Sequence, residues 1–197
     1  MQIRVVIADD HLPVLASVAA AVSATGAQVV AKARSPDELF DALREHDCDL
    51  LVCDYAMPID DQVDGVEMFR AVRTQWPGLP VIVLTSVSNG VVLRALRELG
   101  VRGLVDKLSS LTELGEAIAA VIDGRTMSSP TFDDAIGTYE AQLDDPVLAR
   151  EIGRMFERGR SCEDIAALLR IPDAVVDRHR HARNAADPPA RSGRLGP

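Results

Sequence analysis

With 197 residues the chain has room for one full domain and a small second one, and a hydrophobic content of 47% is ample for a core. Its 30 acidic and 21 basic side chains give a net charge of −9. No apolar run reaches transmembrane length, the first residues read as a strand rather than a leader, and Cys48, Cys53 and Cys162 lack metal or redox spacing. A membrane span, a signal peptide and a disulfide framework are therefore not expected, and a reducing cytoplasm is.

In chain order, 3–8 is an apolar strand that ends in two adjacent carboxylates, Asp9 and Asp10, followed by His11. Residues 12–24 carry an apolar stripe at helical spacing (Leu12, Leu15, Val18, Ala19, Val22), with Gly26 beyond the end. A short second strand is expected over 27–33. Ser35-Pro36-Asp37-Glu38 then caps a helix over 36–46, with Pro at its first position and Glu at its third. Residues 50–54 are four apolar residues ending abruptly in Asp54, and Met57-Pro58 closes the segment. Such a run without polar alternation suits a strand covered on both faces. A helix over 65–75 stops at Trp76-Pro77-Gly78. A strand over 80–86 ends in the hydroxyls of Thr85 and Ser86. A helix over 89–99 ends at Gly100, a strand over 101–107 ends at Lys107, and a helix over 110–123 ends at Gly124. Strands alternating with helices predict a doubly wound parallel sheet.

The strand ends carry the chemistry. Taken alone, Asp54 could simply begin a polar turn. The recurrence of Asp9-Asp10, Asp54, Thr85 and Lys107 at successive strand ends points instead to a ligand rim, where open α/β sheets bind. Three carboxylates brought together repel one another without a cation, and a small oxygen-lined site suits Mg²⁺. Lys107 is one of only two lysines, Lys32 being the other. A compact ammonium at a strand end can serve as a point charge beside phosphate.

In this order, acidic pair, Asp-x-x-Met-Pro, Thr and Lys, residues 1–123 resemble the receiver domain of a two-component response regulator, a flavodoxin-like (βα)5 fold. The resemblance implies that Asp54 accepts a phosphoryl group from a sensor histidine kinase or a histidine phosphotransfer protein. It implies that Asp9, Asp10, Asp54 and the backbone carbonyl of Ala56 hold Mg²⁺, that Thr85 bonds the acyl phosphate after a loop shift, and that Lys107 pairs with it. Receivers usually place a glycine four residues after the proline, whereas here Gly65 follows Pro58 by seven. That longer loop, with His11 after the acidic pair, resembles the capsule-synthesis regulators of the NarL/FixJ group. A tolerated surface insertion would look the same. The aromatic that receivers carry three residues before the lysine is Leu104 here, so the signal is expected to travel through Thr85, the 86–89 loop and the 89–99 helix.

Residues 124–141 read as an interdomain linker with one short helix. Across it the balance shifts from 11 basic and 21 acidic side chains in 1–141 to 10 and 9 in 142–197, which is permissive for nucleic acid. The spacing predicts a helix over 146–158, a second opened by Ser161-Cys162-Glu163-Asp164, a short turn, and a third running to about Ala185, a small all-α helix-turn-helix domain over 142–186. Its turn and third helix resemble the LuxR-type module of the NarL/FixJ group. Arg178, His179, Arg180, His181 and Arg183 are its candidate DNA-binding residues. The resemblance is incomplete. Pro172 stands where Ser or Thr usually caps, with Asp173 able to cap one residue later. Asp177 stands where a lysine is usual, and no fourth helix is recognisable. Residues 187–197 read as a disordered tail.

Two function classes remain open beside an enzyme. One is a transcription regulator that binds DNA, as a homodimer or with a second regulator. The other is a regulator with a degenerate output that works only by protein contact. A phosphatase of the haloacid-dehalogenase type would need a second Asp two residues after Asp54, where this chain has Ala56.

Overall fold

The structure is a computed structural model that describes residues 2–59, 62–108 and 110–186. The expected tail, 187–197, lies outside the described residues. The receiver half alternates strand and helix: β1 (Arg4–Ala8), α1 (Leu12–Ala24), β2 (Gln28–Ala33), α2 (Pro36–Glu45), β3 (Leu50–Asp54), α3 (Gly65–Gln75), β4 (Val81–Thr85), α4 (Gly90–Glu98), β5 (Gly103–Asp106) and α5 (Leu111–Ile122). The strands pair in parallel in the order β2-β1-β3-β4-β5, and each ends on the same rim. Strand period sorts the core into two layers. Val5, Ile7, Val52, Ile82 and Val105 meet Leu15, Val18 and Val22 of α1 and Leu114, Ile118 and Val121 of α5. Val6, Leu51, Cys53, Val81 and Val83 face α2, α3 and α4 on the other side.

The stretch expected to be a linker is structured. Met127–Ser128 add a sixth parallel strand, β6, beside β5, and α6 (Pro130–Gly137) and a 3₁₀ turn (Tyr139–Gln142) follow. The open edge of β5 is the physical reason. Met127 N–H donates to the Arg102 carbonyl at 2.9 Å and Ser129 N–H to the Leu104 carbonyl at 2.8 Å, so backbone groups that would face solvent are paired. The Ser129 hydroxyl, fully buried, accepts from Asp106 N–H at 3.0 Å and donates to Glu113. α6 then packs on α4 so closely that a side chain at Gly90 would sit 2.0 Å from the Ala135 carbonyl. Only glycine fits there.

The remaining elements are α7 (Pro146–Glu157), α8 (Cys162–Leu169) and α9 (Asp173–Ala186). Ser161 and Asp164 form a reciprocal capping box at the start of α8. Asp173, expected as a cap, is instead the first residue of α9, and Val175 N–H donates to the Pro172 carbonyl at 2.9 Å. Arg170 between them has a left-handed backbone (φ 54°), and its carbonyl accepts from Arg94 of α4 while its side chain pairs with Glu98 at 3.3 Å. Leu148, Ile152, Met155, Ile165, Leu169 and Val176 continue the α2–α3–α4 core layer without a break, so the C-terminal helices are seated on the receiver. No helix among the described residues is long and apolar enough to cross a membrane.

Candidate functional site

The four strand ends converge as the sequence predicts. Asp54 closes β3 and is 6% exposed, Asp9 follows β1 at 2%, and Thr85 closes β4 at 1%. Lys107, just beyond β5, reaches back over the rim. Its Nζ lies 2.6 Å from Asp54 Oδ2 and 2.7 Å from Asp9 Oδ2. Its own N–H donates to the Thr85 carbonyl at 3.0 Å, which fixes its stem. One ammonium therefore joins two buried carboxylates.

Burial pushes the Asp54 carboxyl above its usual range, the Lys107 ammonium opposes that shift, and the Asp9 charge adds to it. Burial alone would lower Lys107, yet Asp54 and Asp9 together hold its ammonium above the ordinary value. Cys53 lies beneath the rim, and burial with the two carboxylates keeps it a thiol.

Asp9, Asp10 and His11 come closest to a ready metal cluster, with one potential ligand atom from each within 4.8 Å of the others. His11 N–H donates to Asp9 Oδ1 at 2.9 Å, and its ring Nδ1 is 2.7 Å from Asp10 Oδ1. Asp54, expected as the third metal carboxylate, is joined to this group through Lys107. The donors fit a hard divalent cation: two buried carboxylates share a single ammonium, and the Asp10 carboxylate is part-exposed at the mouth. The Thr85 hydroxyl accepts from Val87 N–H at 3.0 Å, so it is committed to its own loop rather than to the rim.

The five candidate DNA-binding residues divide. Arg178, Arg180, His181 and Arg183 are exposed on α9. His179 departs from that basic face, because its Nε2 lies 2.8 Å from the Leu143 carbonyl and the ring is half-buried. The arginines are paired: Arg178 with Asp144 at 3.4 Å, Arg180 with Asp177 at 2.8 Å, and Arg183 with Glu157 at 2.7 Å.

Sequence reasoning missed Tyr55, Asp64, Glu67 and Glu151, all of them buried beside this rim. Their only signal was position: Tyr55 directly follows Asp54, and Asp64 ends the long loop.

Residues 5–119 match the response regulator receiver domain. The transcriptional regulatory protein RcsB of Escherichia coli (strain K12) is 32% identical over 172 residues, which span 84% of this chain and 79% of RcsB. A probable transcriptional regulatory protein NarL of Mycobacterium tuberculosis is 27% identical over 186 residues, 90% of this chain and 84% of its own length. The isolated receiver domain of RcsB from Salmonella enterica serovar Typhimurium, with the phosphomimetic BeF3-, superposes with a TM-score of 0.65 at 29% identity, covering 68% of this chain and 99% of that one. RcsB from the same organism, bound to promoter rprA, superposes with a TM-score of 0.65 at 26% identity over 93% of this chain and 90% of that one.

Proposed function

The chain belongs to the response regulator family and is a phosphorylation-controlled transcription regulator, and we propose that Asp54 is the carboxylate that takes the phosphoryl group. The observation that carries this assignment is the Lys107 bridge. An ammonium 2.6 Å from Asp54 Oδ2 engages one carboxylate oxygen and leaves the other to attack phosphorus. Lys107 then stays beside the phosphoryl oxygens as a fixed counter-charge, where positioning and electrostatics do most of the catalytic work.

Asp9, Asp10 and Asp54, with the backbone carbonyl of Ala56, would hold Mg²⁺. When bound, that ion offsets charge on the phosphoryl oxygens. The Thr85 hydroxyl is one short loop from the same point, and exchanging Val87 N–H for a phosphoryl oxygen would make it report the phosphorylated state.

The donor is a sensor histidine kinase or a histidine phosphotransfer protein. Leu12 (59% exposed), Leu108 (88%) and Leu111 (52%) stand at the starts of α1 and α5 and in the loop after β5, around the mouth of the site. Exposed apolar side chains gathered at the mouth of a reactive site suit a protein partner. The output is DNA binding by α9, with Arg178, Arg180, His181 and Arg183 contacting phosphates or base edges. The chain acts there as a dimer with a second copy or with another regulator; RcsB dimers are found on DNA among the structural neighbours.

Intact-mass analysis after incubation with acetyl phosphate and Mg²⁺ tests the assignment. One labile phosphoryl group is expected in the wild type and none in Asp54→Asn. Labelling that survives Asp54→Asn would overturn it.

A further inference from the structure

The last strand of the receiver has an anchor in the stretch that reads as a linker. In a parallel ladder alternate residues turn their N–H and C=O groups to the same side. Lys107 N–H therefore faces β4, donating to the Thr85 carbonyl at 3.0 Å, while Leu104 and Asp106 face β6, where Ser129 N–H donates to the Leu104 carbonyl at 2.8 Å. β6 ends at Ser128, and Ser129 (φ −58°, ψ 137°) leads through Pro130 into α6. The Ser129 carbonyl is turned to α6, accepting from Phe132 N–H at 2.9 Å and Asp133 N–H at 3.2 Å. The next rung, from Asp106 N–H, is left to the side chain, and the Ser129 hydroxyl accepts it at 3.0 Å.

Ser129 is the N-cap residue of α6, a position where a serine ordinarily accepts from the second or third N–H of its own helix. It makes no such bond. Its hydroxyl proton goes instead to the Glu113 carboxylate on α5. With that proton committed, the oxygen lone pairs are turned to Asp106 N–H, so Glu113 orients the group. Glu113 is held in turn, its N–H donating to the Ser110 hydroxyl at 3.2 Å. A buried N–H has to be paired in any fold, and that need alone accounts for an acceptor here. Two features go beyond it: the hydroxyl is withdrawn from its own helix, and the residue it holds directly precedes Lys107.

Lys107 stands where the chain leaves the sheet. Beyond it Leu108 is 88% exposed, so packing does not fix the turn from that side. Leu108 N–H donates to Asp106 Oδ1 at 2.9 Å. Asp106 thus holds both flanks of the lysine, and Asp106 itself is held by Ser129. From this base the Lys107 side chain reaches Asp54 Oδ2 at 2.6 Å and Asp9 Oδ2 at 2.7 Å. A small rotation of the backbone is magnified at the end of a flexible four-carbon stem.

We propose that Ser129, oriented by Glu113, is a positioning residue for phosphoryl transfer to Asp54: through Asp106 it sets the backbone of Lys107 so that the ammonium stands against Asp54. The role in transfer rests on the reading of Asp54 given above, whereas the placing of Lys107 rests on the contacts alone. In the transfer an Asp54 carboxylate oxygen bonds to phosphorus, the bond from phosphorus to the donor's leaving group breaks, and the leaving group keeps that electron pair. Lys107 gives up no proton, and Ser129 touches neither donor nor Asp54. What the two supply is a positive charge fixed in place, and such a charge assists only from the right position. A residue outside 1–123 thereby completes the receiver's site.

The full chain has only two lysines, so lysine labelled with ¹³C at Cε gives two NMR signals, with Lys32, exposed on β2, as the internal reference. In the wild type the two ε protons of Lys107 should be inequivalent, because the side chain is held. In Ser129→Ala they should merge toward the averaged signal of Lys32. Labelling by acetyl phosphate with Mg²⁺ should slow about ten-fold in Ser129→Ala, below the roughly hundred-fold loss that a misplacement of about 1 Å can cause. In a Lys107→Ala background the same change should slow it no further, since the two residues act as a unit. Glu113→Ala should alter the Lys107 signals in the same direction, and Glu113→Gln, which keeps a carbonyl to accept the hydroxyl proton, should restore them. Unchanged Lys107 signals in Ser129→Ala, or an equal further slowing in the Lys107→Ala background, would overturn the positioning role. Should a melt show Ser129→Ala to be unfolded, Glu113→Ala decides in its place, and Lys107 signals identical to the wild type would overturn the proposal. If the wild type takes up no phosphoryl group, the reading of Asp54 fails, and the lysine signals still decide whether Ser129 places Lys107.

Discussion

Replacing Lys107 with alanine removes the only cation recorded between Asp54 and Asp9 among the described residues, and both the loss and its repair can be calculated in outline. The two carboxylate side chains are 8% and 3% exposed and the Lys107 side chain is 15% exposed, so solvent screens the contact little. Removing one partner of a buried ion pair destabilises by about 3–5 kcal/mol. Asp54 has an escape, because burial already raises its carboxyl and a proton can replace the lost cation. The expected loss is therefore at the lower end, about 3 kcal/mol, or about 6–12 °C in Tm for a chain of this size. Asp54 and Asp9 are Lys107's partners and also two of the carboxylates that would hold Mg²⁺, so the variant, which leaves them without a counter-charge, should bind the ion more tightly than the wild type. At an Mg²⁺ concentration near 100 times the variant's Kd, linkage returns about 2.7 kcal/mol, most of the deficit. Thermal melts of both proteins with Mg²⁺ or with chelator measure each part. A variant that melts within about 2 °C of the wild type in chelator would refute the reasoning, since that is at most a third of the expected loss. So would an equal Mg²⁺ shift in the two proteins.

Two further outcomes follow from the site and from α9. The Asp54 carboxyl is raised above the ordinary 3.8, mainly by burial, so its ionised form penalises the folded state at high pH and that penalty is relieved as pH falls through the raised value. The Asp54 carboxyl carbon, followed by NMR without Mg²⁺, should therefore titrate with a midpoint above pH 3.8, and Lys107→Ala should move the midpoint higher because it removes the main opposing charge; a midpoint at or below 3.8 would refute the effect of burial. On α9, Asp177→Asn should free Arg180 from its 2.8 Å pair, tighten binding to a fragment of the chain's own control region, and steepen the slope of log affinity against log salt by about 0.9. Fluorescence anisotropy over a salt series reads this, and an unchanged slope would mean that Arg180 meets no phosphate.

The parts of this protein that were legible in its sequence are those whose cause is local. β3 is buried at all five positions, and a fully buried strand has to be an unbroken apolar run that any polar residue must end. Ser35 accepts from Glu38 N–H at 3.1 Å, as the Ser-Pro-Asp-Glu spacing requires. The rim residues were readable because each stands at the end of such a strand. What escaped depends on partners far along the chain. β6 is two residues long, too short for any periodicity, and exists because β5 has an open edge. Glu151 and Glu67 look like ordinary charged positions on amphipathic helices, and their burial follows from arginines and amides more than 80 residues away. His179 reads as part of a basic face until the Leu143 carbonyl is found against its ring.

The same contrast bears on how a signal can leave Asp54. In related receivers an aromatic on the last strand turns inward; here Leu104 occupies that place at 2% exposure and has no ring to turn. Its strand is also fastened. The Leu104 carbonyl accepts from Ser129 N–H at 2.8 Å, the Ser129 hydroxyl holds Asp106 N–H at 3.0 Å, and Phe132 of α6 is buried in the same core layer. Displacing β5 would break backbone hydrogen bonds that, once buried, find no replacement. On the other side of Asp54 the contacts are of another kind. Tyr55 carries a buried hydroxyl without a good partner, and the charges near it are balanced by position alone. The two sides of Asp54 are thus held differently, the β5 edge by backbone hydrogen bonds and the α7 side by opposed charges. The added strand and the long loop account for this difference: one supplies the backbone partners of β5, and the other carries Asp64 to Arg154 and Arg158.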